Sequence, residues 1–479
     1  MNKSMVRYLL AKLLLIEASL MLVPVIVAFI YHEDMRVINS LVITIGILVI
    51  IGLLEVAFKP KNYHVYTKEG LLIVALCWIL WSFFGALPFV LSGQIPSIID
   101  AFCEMVSGFT TTGATILPDV AVLSHSLLFW RSFAHLIGGM GVLVFALAIM
   151  KNSKNSHLEV MRAEVPGPVF GKVVSKLKET AQILYVIYLS MFAILMVILM
   201  VAGMPAFDNI ITAMGCAGTG GFGVYNDSIA HYNSSLITNI VSIAVLLFGI
   251  NFNLYYFLLF RKFKAFFKDE ELRTYIGIVV IATALIWLNV SGFYPSAGKA
   301  LENSLFEVAN VMTTTGFGVT DLTVWPLFAQ VILLFLMFVG GSAGSTAGGI
   351  KVMRALILTK ITRNQVLSTL YPNRIMTIHI NEQPLDKEIQ HGVLKYLTLY
   401  VFLLLGLTLM LSLDNNNFMV VVSAATSTFN NIGPMLGTSQ IFAIFSPFSK
   451  LLMSFAMIAG RLEIYPMLLL FIPKTWPKY

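Results

Sequence analysis

Polar positions are sparse along this chain, and they fall at intervals. Between them, apolar runs near residues 8–30, 37–58, 70–92, 126–150, 181–203, 233–260, 274–293, 325–350, 391–413 and 447–472 carry few or no charges. A segment of this length reaches across a hydrocarbon layer ~30 Å thick at about 1.5 Å per helical residue. Helices are the expected form, because a helix satisfies its own backbone hydrogen bonds where no water can do so. The pattern predicts an all-α integral membrane protein of about ten spanning helices.

Charge then orients the spans. One set of connections holds Lys3, Arg7 and Lys12, then Lys59, Lys61 and Lys68, the stretch Lys151–Lys178, Arg261–Arg273, Lys351–Lys395, and Lys474 with Lys478. The alternate set holds few cations, Arg36 and Lys299 among them, and many acids: Asp100, Glu104, Asp119, Asp208, Asp227, Glu302, Glu307, Asp321 and Asp414. Cytoplasmic loops carry the excess of Lys and Arg, so both termini are expected inside. The outer acids read either as ordinary solvated loop charge or as a mouth that concentrates cations. Arg131 and Lys450, near outer span ends, are accounted for by snorkelling.

Composition agrees with the bilayer assignment. Of 479 residues, 58% are hydrophobic and 11% charged, with mean hydropathy +0.85; soluble domains are about 25% charged. Three cysteines, Cys77, Cys103 and Cys216, sit in apolar stretches without metal-ligand spacing and read as inert buried thiols.

Between the spans one motif recurs. It reads SGFTTTGAT at Ser107–Thr115, AGTGGFGV at Ala217–Val224, MTTTGFGV at Met312–Val319 and, more divergently, TFNNIGPM at Thr428–Met435. The copies align on Gly113, Gly221, Gly316 and Gly433, with two spans between successive copies, so all four lie on one face of the membrane and the repeats are parallel. Asp100, Asp208 and Asn303 stand thirteen residues before their glycines and are candidate helix N-caps; in the fourth copy Asn417 lies three residues earlier still. An apolar stretch of about ten residues follows each, too short to span and suited to a re-entrant half-helix. Glu104 and Glu307 both stand nine residues before their glycines, either holding the half-helix or touching an ion. The unit is therefore helix, half-helix, filter segment, helix. It divides the chain into two extra N-terminal spans (1–66) and repeats at 67–155, 156–268, 269–375 and 376–479.

Half-helices that end at a common axis turn their partially negative C-termini toward it. Glycine opens backbone angles through which successive carbonyls face one way, and rings of such carbonyls can replace the hydration shell of a cation. Gly220, where two other copies carry Thr, and Ile432 make the fourfold symmetry approximate.

Two further features bear on passage. The span near 325–360 contains Gly340, Gly341, Gly344, Gly348 and Gly349, interleaved with Ser342, Ser345 and Thr346. This density opposes a regular helix; it reads as a flexible intramembrane loop beneath the filter or as close packing through small residues. Arg461, at membrane depth in the last span, reads as a positive barrier near the pore or as the partner of Glu463 or another acid.

With GGSAGSTAGGIKVMR (Gly340–Arg354) and AGRLEIYP (Ala459–Pro466), the four motifs resemble the Trk/Ktr/HKT superfamily of potassium transporters over essentially the whole chain, and within it the bacterial TrkH/TrkG branch, which the two extra N-terminal spans also suit. The resemblance implies potassium as the transported ion and no covalently bound cofactor. It implies a homodimer with one pore per subunit in a bacterial cytoplasmic (inner) membrane, and a cytosolic nucleotide-binding partner of the TrkA type that gates it. It implies that ions are held by backbone oxygens at Thr111, Thr112 and Gly113; Thr219, Gly220 and Gly221; Thr314, Thr315 and Gly316; and Asn431, Ile432 and Gly433. It also implies a gate formed by the glycine-rich loop and Arg461. Symport of potassium with sodium or protons is the alternative function. A membrane-embedded enzyme is not expected: His32, His64, His125, His135, His157, His231, His379 and His391 are scattered, and the run at 340–349 lacks the strand–loop–helix setting of a phosphate cradle. The basic loops follow from orientation alone, and contact with anionic lipid is expected there; nucleic acid is not a predicted partner.

Overall fold

The computed structural model describes residues 2–63, 65–141, 177–373, 376–438 and 440–476. The predicted basic stretch 151–178 up to residue 176, the inner end of the 126–150 span, His64, His157, Lys478 and the boundary between the first two repeats lie outside the described residues. The fold is helical, with one two-stranded hairpin at His379–Ile380 and Gln383–Pro384.

Among the described residues, six helical segments are long and apolar enough to cross a membrane: Lys3–Ile30, Met35–Ala57, Thr67–Ser92, Ala181–Val201, Glu270–Phe293 and Lys387–Leu411. The first two are the N-terminal helices; each of the other four precedes one copy of the glycine-centred motif. Their outward faces carry large apolar side chains such as Phe402, Leu405 and Leu409, as expected where the solvent is lipid.

The helix that follows each glycine-centred motif behaves differently. The predicted spans 233–260 and 447–472 are broken, and so is 325–350, where the glycine density already opposes a regular helix. Ser235–Phe248 meets Phe252–Leu259 at 92°, with Asn251 capping the second helix through its side chain. Leu327–Val339 gives way to an irregular stretch that ends where Val352–Leu370 begins. Pro447–Arg461 stops at Glu463 and Ile464, both with positive φ, before Tyr465–Phe471. In the first repeat, His125–Gly139 ends just before the described residues do. These helices run directly behind the half-helix ends, and side-chain volume is excluded at the contact: a Cβ on Gly138 would lie 1.8 Å from the Phe109 carbonyl oxygen, and one on Gly460 would lie 2.0 Å from that of Phe429.

The half-helices Ile98–Phe109, Ala206–Gly218, Ala297–Met312 and Phe418–Asn430 are buried inside this frame. Irregular backbone after each is enclosed by protein, the condition under which it is tolerated at membrane depth.

Candidate ion pathway

The half-helices start earlier than predicted. Ser97, Pro205, Ser296 and Asn417 occupy the N-cap positions, and Asp100 and Asp208 sit in the first turn, where a carboxylate favours the positive end of the helix. Asn303 lies buried mid-helix and caps nothing. The offset of Asn417, which looked anomalous, is also that of Ser97 and Pro205.

At their C-termini the four copies share one geometry. Thr111, Thr219, Thr314 and Asn431 have φ of 56°, 52°, 55° and 58°. The next N–H reaches back five residues in each: Thr112 to Ser107, Gly220 to Gly215, Thr315 to Asn310 and Ile432 to Ser427, at 2.8–3.0 Å. This is a Schellman closure with a non-glycine residue at the left-handed position. Such a φ is a genuine outlier for β-branched threonine and costs about 1–3 kcal/mol at each site. The aligned glycines follow, also with positive φ. Alternation of left-handed and ordinary angles is what lets consecutive carbonyls share a direction.

The aligned glycines close a ring. A Cβ on Gly113 would lie 2.0 Å from the Gly220 oxygen; on Gly221, 2.0 Å from that of Thr315; on Gly316, 2.1 Å from that of Ile432; and on Gly433, 2.7 Å from that of Thr112. Each repeat thus faces the next, the fourth faces the first, and the four carbonyls immediately preceding the glycines surround one centre. Of the predicted residues, Thr112, Gly113, Gly220, Gly221, Thr315, Gly316, Ile432 and Gly433 meet in these contacts, and Thr111, Thr219, Thr314 and Asn431 form the left-handed closures that precede them. Above them Gly113, Gly221 and Gly316 open into a cavity of about 380 Å³ that also includes Thr115, Tyr225 and Ser228.

Side chains behind the ring fix its strands. The Glu104 carboxylate accepts from the Ile116 N–H (2.9 Å) and the Thr115 hydroxyl, and Glu307 accepts from the Val319 N–H at 3.1 Å. Both acids act on the residue three past the glycine; in the fourth copy Ser423 does so through Leu436. The structural reading of the two glutamates is the one the contacts favour. Arg131 is only 2% exposed and pairs with Glu104 at 2.6 Å while stacking on Phe222. Lys450 pairs with Asp100 at 2.7 Å. Neither snorkels: a partner carboxylate inside the fold replaces the water that a snorkelling head would seek.

The glycine-rich stretch lies against the inner side of the ring. Gly348 donates its N–H to the Thr314 hydroxyl (2.6 Å), and Gly349 donates to the Asn430 carbonyl (3.1 Å). Gly340, Gly344 and Gly349 all have positive φ, so the stretch is an irregular loop and not a small-residue helix. Arg461 donates to the carbonyls of Thr346 (2.7 Å), Gly138 (2.7 Å) and Gly139 (2.6 Å). Glu463 pairs instead with Arg354, one of whose contacts is 3.1 Å. Arg461 and Glu463 stand two apart, a spacing at which helical side chains do not face each other, and the left-handed turn at Glu463 and Ile464 ends the helix beside them. Sequence reasoning gave no role to Lys351, whose buried ammonium donates to the Ala347 carbonyl, or to Glu271 and Tyr400. Charge at membrane depth was the available signal for Lys351. Among the described residues no cluster of three or more metal-binding side chains occurs, and all three cysteines are buried and not joined in disulfides.

Residues 35–478 match the family model TrkH, described as a cation transport protein. The chain is 34% identical over 474 residues to the Trk system potassium uptake protein TrkH of Salmonella typhimurium, covering 97% of each. It is 31% identical over 464 residues to the Trk system potassium uptake protein TrkG of Escherichia coli, covering 95% of each. The crystal structure of the potassium transporter TrkH from Vibrio parahaemolyticus superposes with a TM-score of 0.89 at 31% identity, over 100% of both chains. Membership of a transport family also answers the question of catalysis, since these relatives are transporters and not enzymes. The chain belongs to the TrkH family of cation transport proteins.

Proposed function

We propose that this protein mediates potassium uptake across a bacterial cytoplasmic membrane, with the ion passing through the ring of carbonyls formed by Thr111–Gly113, Thr219–Gly221, Thr314–Gly316 and Asn431–Gly433. The single observation that carries the reading is the closed sequence of contacts from Gly113 to Gly220, Gly221 to Thr315, Gly316 to Ile432 and Gly433 to Thr112. A cation entering the ring exchanges water oxygens for carbonyl oxygens held in place by the Schellman closures. The negative ends of the four half-helices favour it further. Selectivity follows from the number and fixity of those oxygens. Potassium is the cargo named for the Salmonella and Escherichia relatives.

The loop at Gly340–Gly349 and Arg461 serve as the gate in this reading. The loop is held to the ring from below by Thr314, and the Arg461 guanidinium places a fixed positive charge beside the loop. Passage requires the loop to leave and the charge to be bypassed. A cytosolic nucleotide-binding subunit, a homodimer with one pore per protomer, contact with anionic lipid and cytoplasmic termini complete the proposal. The four repeats follow the divisions at 67–155, 156–268, 269–375 and 376–479.

The experiment is ion flux in liposomes containing the purified protein, with potassium or sodium as the only permeant cation, with and without the cytosolic subunit. Potassium flux well above sodium flux, raised or lowered by the subunit, is expected; equal fluxes would remove the filter assignment. Reversal potentials under crossed gradients separate the alternative of symport. A potential that follows the potassium gradient alone excludes coupling to sodium or protons.

A further inference from the structure

Glu271, at the start of the long helix that opens the third repeat, is 1% exposed and forms no ion pair closer than 4 Å to a described residue. Its Oε1 accepts two backbone N–H groups, from Ala343 at 2.7 Å and from Met353 at 3.1 Å. These two residues flank the part of the glycine-rich stretch that touches the filter. One carboxylate oxygen therefore closes the base of the loop, drawing its entering and leaving strands onto the same helix end. Lys351, with φ of 80°, lies within this closure, and the Val352 N–H bonds the Gly341 carbonyl just outside it.

The two residues before Glu271 extend the connection outward. Asn381, at the exposed tip of the His379–Pro384 hairpin, donates from its side chain to Asp269 at 2.8 Å. It also exchanges bonds with Glu270, accepting from the Glu270 N–H at 2.8 Å and donating its own N–H to the Glu270 carboxylate at 3.1 Å. Lys360 ties Glu270 and the His379 carbonyl together. Three consecutive acids at one helix end thus face two ways, Asp269 and Glu270 toward the hairpin and Glu271 toward the loop.

We propose that Glu271 is the positioning residue that latches the glycine-rich loop against the filter, and that the 379–384 hairpin holds the helix end from which the latch acts. The inference rests on the loop being the gate. A charge-assisted bond to a buried carboxylate outweighs a neutral one, and two N–H groups left without an acceptor in a dry interior penalise the closed position. Loss of the carboxylate biases the loop away from the filter without touching the carbonyls that select the ion.

The test measures potassium flux and the potassium-to-sodium permeability ratio of the purified full-length protein in liposomes, without added partner. Glu271→Ala is expected to raise basal flux about tenfold, the population shift for losing roughly one such hydrogen bond, with the permeability ratio unchanged. Glu271→Gln, whose amide oxygen still accepts but without charge assistance, is expected between the parent and Glu271→Ala. Asn381→Ala, which alters only the exposed hairpin tip, is expected to raise basal flux by a smaller factor. A monodisperse Glu271→Ala protein with parent flux overturns the proposal, as does a permeability ratio that falls together with it. Should Glu271→Ala fail to fold, parent flux in Asn381→Ala overturns it instead. Removal of residues 343–347 serves as control. If this deletion raises flux while Glu271→Ala does not, the latch fails and the gate stands. If the deletion leaves flux unchanged, the gate reading itself fails.

Discussion

The His135 ring occupies the space that a side chain at residue 220 would need. A Cβ on Gly220 would lie 2.4 Å from the nearest ring carbon, and the ring is pinned there by a 2.7 Å contact from Nδ1 to the Gly108 carbonyl. Phe222 lies over the other side of the ring, its centroid 4.3 Å away. The glycine that interrupts the threonine pattern of the second filter segment is therefore a packing consequence of a residue in the first repeat.

That relationship makes the pair energetically coupled. Gly220→Thr alone is expected to lower thermal stability in detergent, and His135→Ala alone to lower it through a lost contact. The double variant should be more stable than the sum of the two losses, by about 1–3 kcal/mol of coupling. Melting curves of the four proteins check this; additive losses would show that the ring does not dictate the glycine.

Substitution in the ring itself is expected to change selectivity before anything else. Gly113→Ser and Gly316→Ser each place a Cβ about 2 Å from a carbonyl oxygen of the neighbouring repeat, at positive φ. The displaced carbonyl no longer fits a dehydrated potassium ion. A loss on the order of 1.4 kcal/mol of discrimination is about tenfold in the potassium-to-sodium permeability ratio. Unchanged ratios in both variants would count against the carbonyl ring as the selecting element.

Arg461 joins Thr346 of the loop to Gly138 and Gly139 of the first repeat, so its removal withdraws a charge and three hydrogen bonds together. Arg461→Ala is expected to raise potassium flux at matched protein amount. Arg461→Lys, which keeps the charge and loses the planar fork, should fall between it and the parent. Flux in liposomes gives the order, and equal or lower flux in Arg461→Ala removes the residue from the gate.

The Arg131–Glu104 pair is buried, and breaking it from one side leaves a charge without its counter-ion. Arg131→Met and Glu104→Leu are each expected to destabilise the protein by about 3–5 kcal/mol, whereas the double apolar variant recovers part of the loss. Glu104→Leu should cost more than Arg131→Met, because it also frees the Ile116 N–H and the Thr115 hydroxyl. Thermal denaturation in detergent, read alongside permeability ratios, checks the order.

The sequence by itself determined the solvent, the helical class and the recurrence. Apolar runs between charged connections admit little but membrane helices, and four glycine-centred copies at similar spacing reveal the repeated unit, because both signals are local and survive without knowledge of packing. The loop at Gly340–Gly349 was legible for the same reason. Only the tertiary structure decided the rest. It bent or stopped the helices after Phe248, Val339 and Arg461, and packed Gly138 and Gly460 against the Phe109 and Phe429 carbonyls, contacts that no local pattern announces. It gave Glu463 to Arg354 and Arg461 to three carbonyls, moved the N-caps to Ser97, Pro205 and Ser296, and set Glu271 at the base of the loop. Partners of buried charges are chosen by what the fold brings within hydrogen-bond reach, and nearness in sequence gives two residues no privilege when their spacing turns them to different sides.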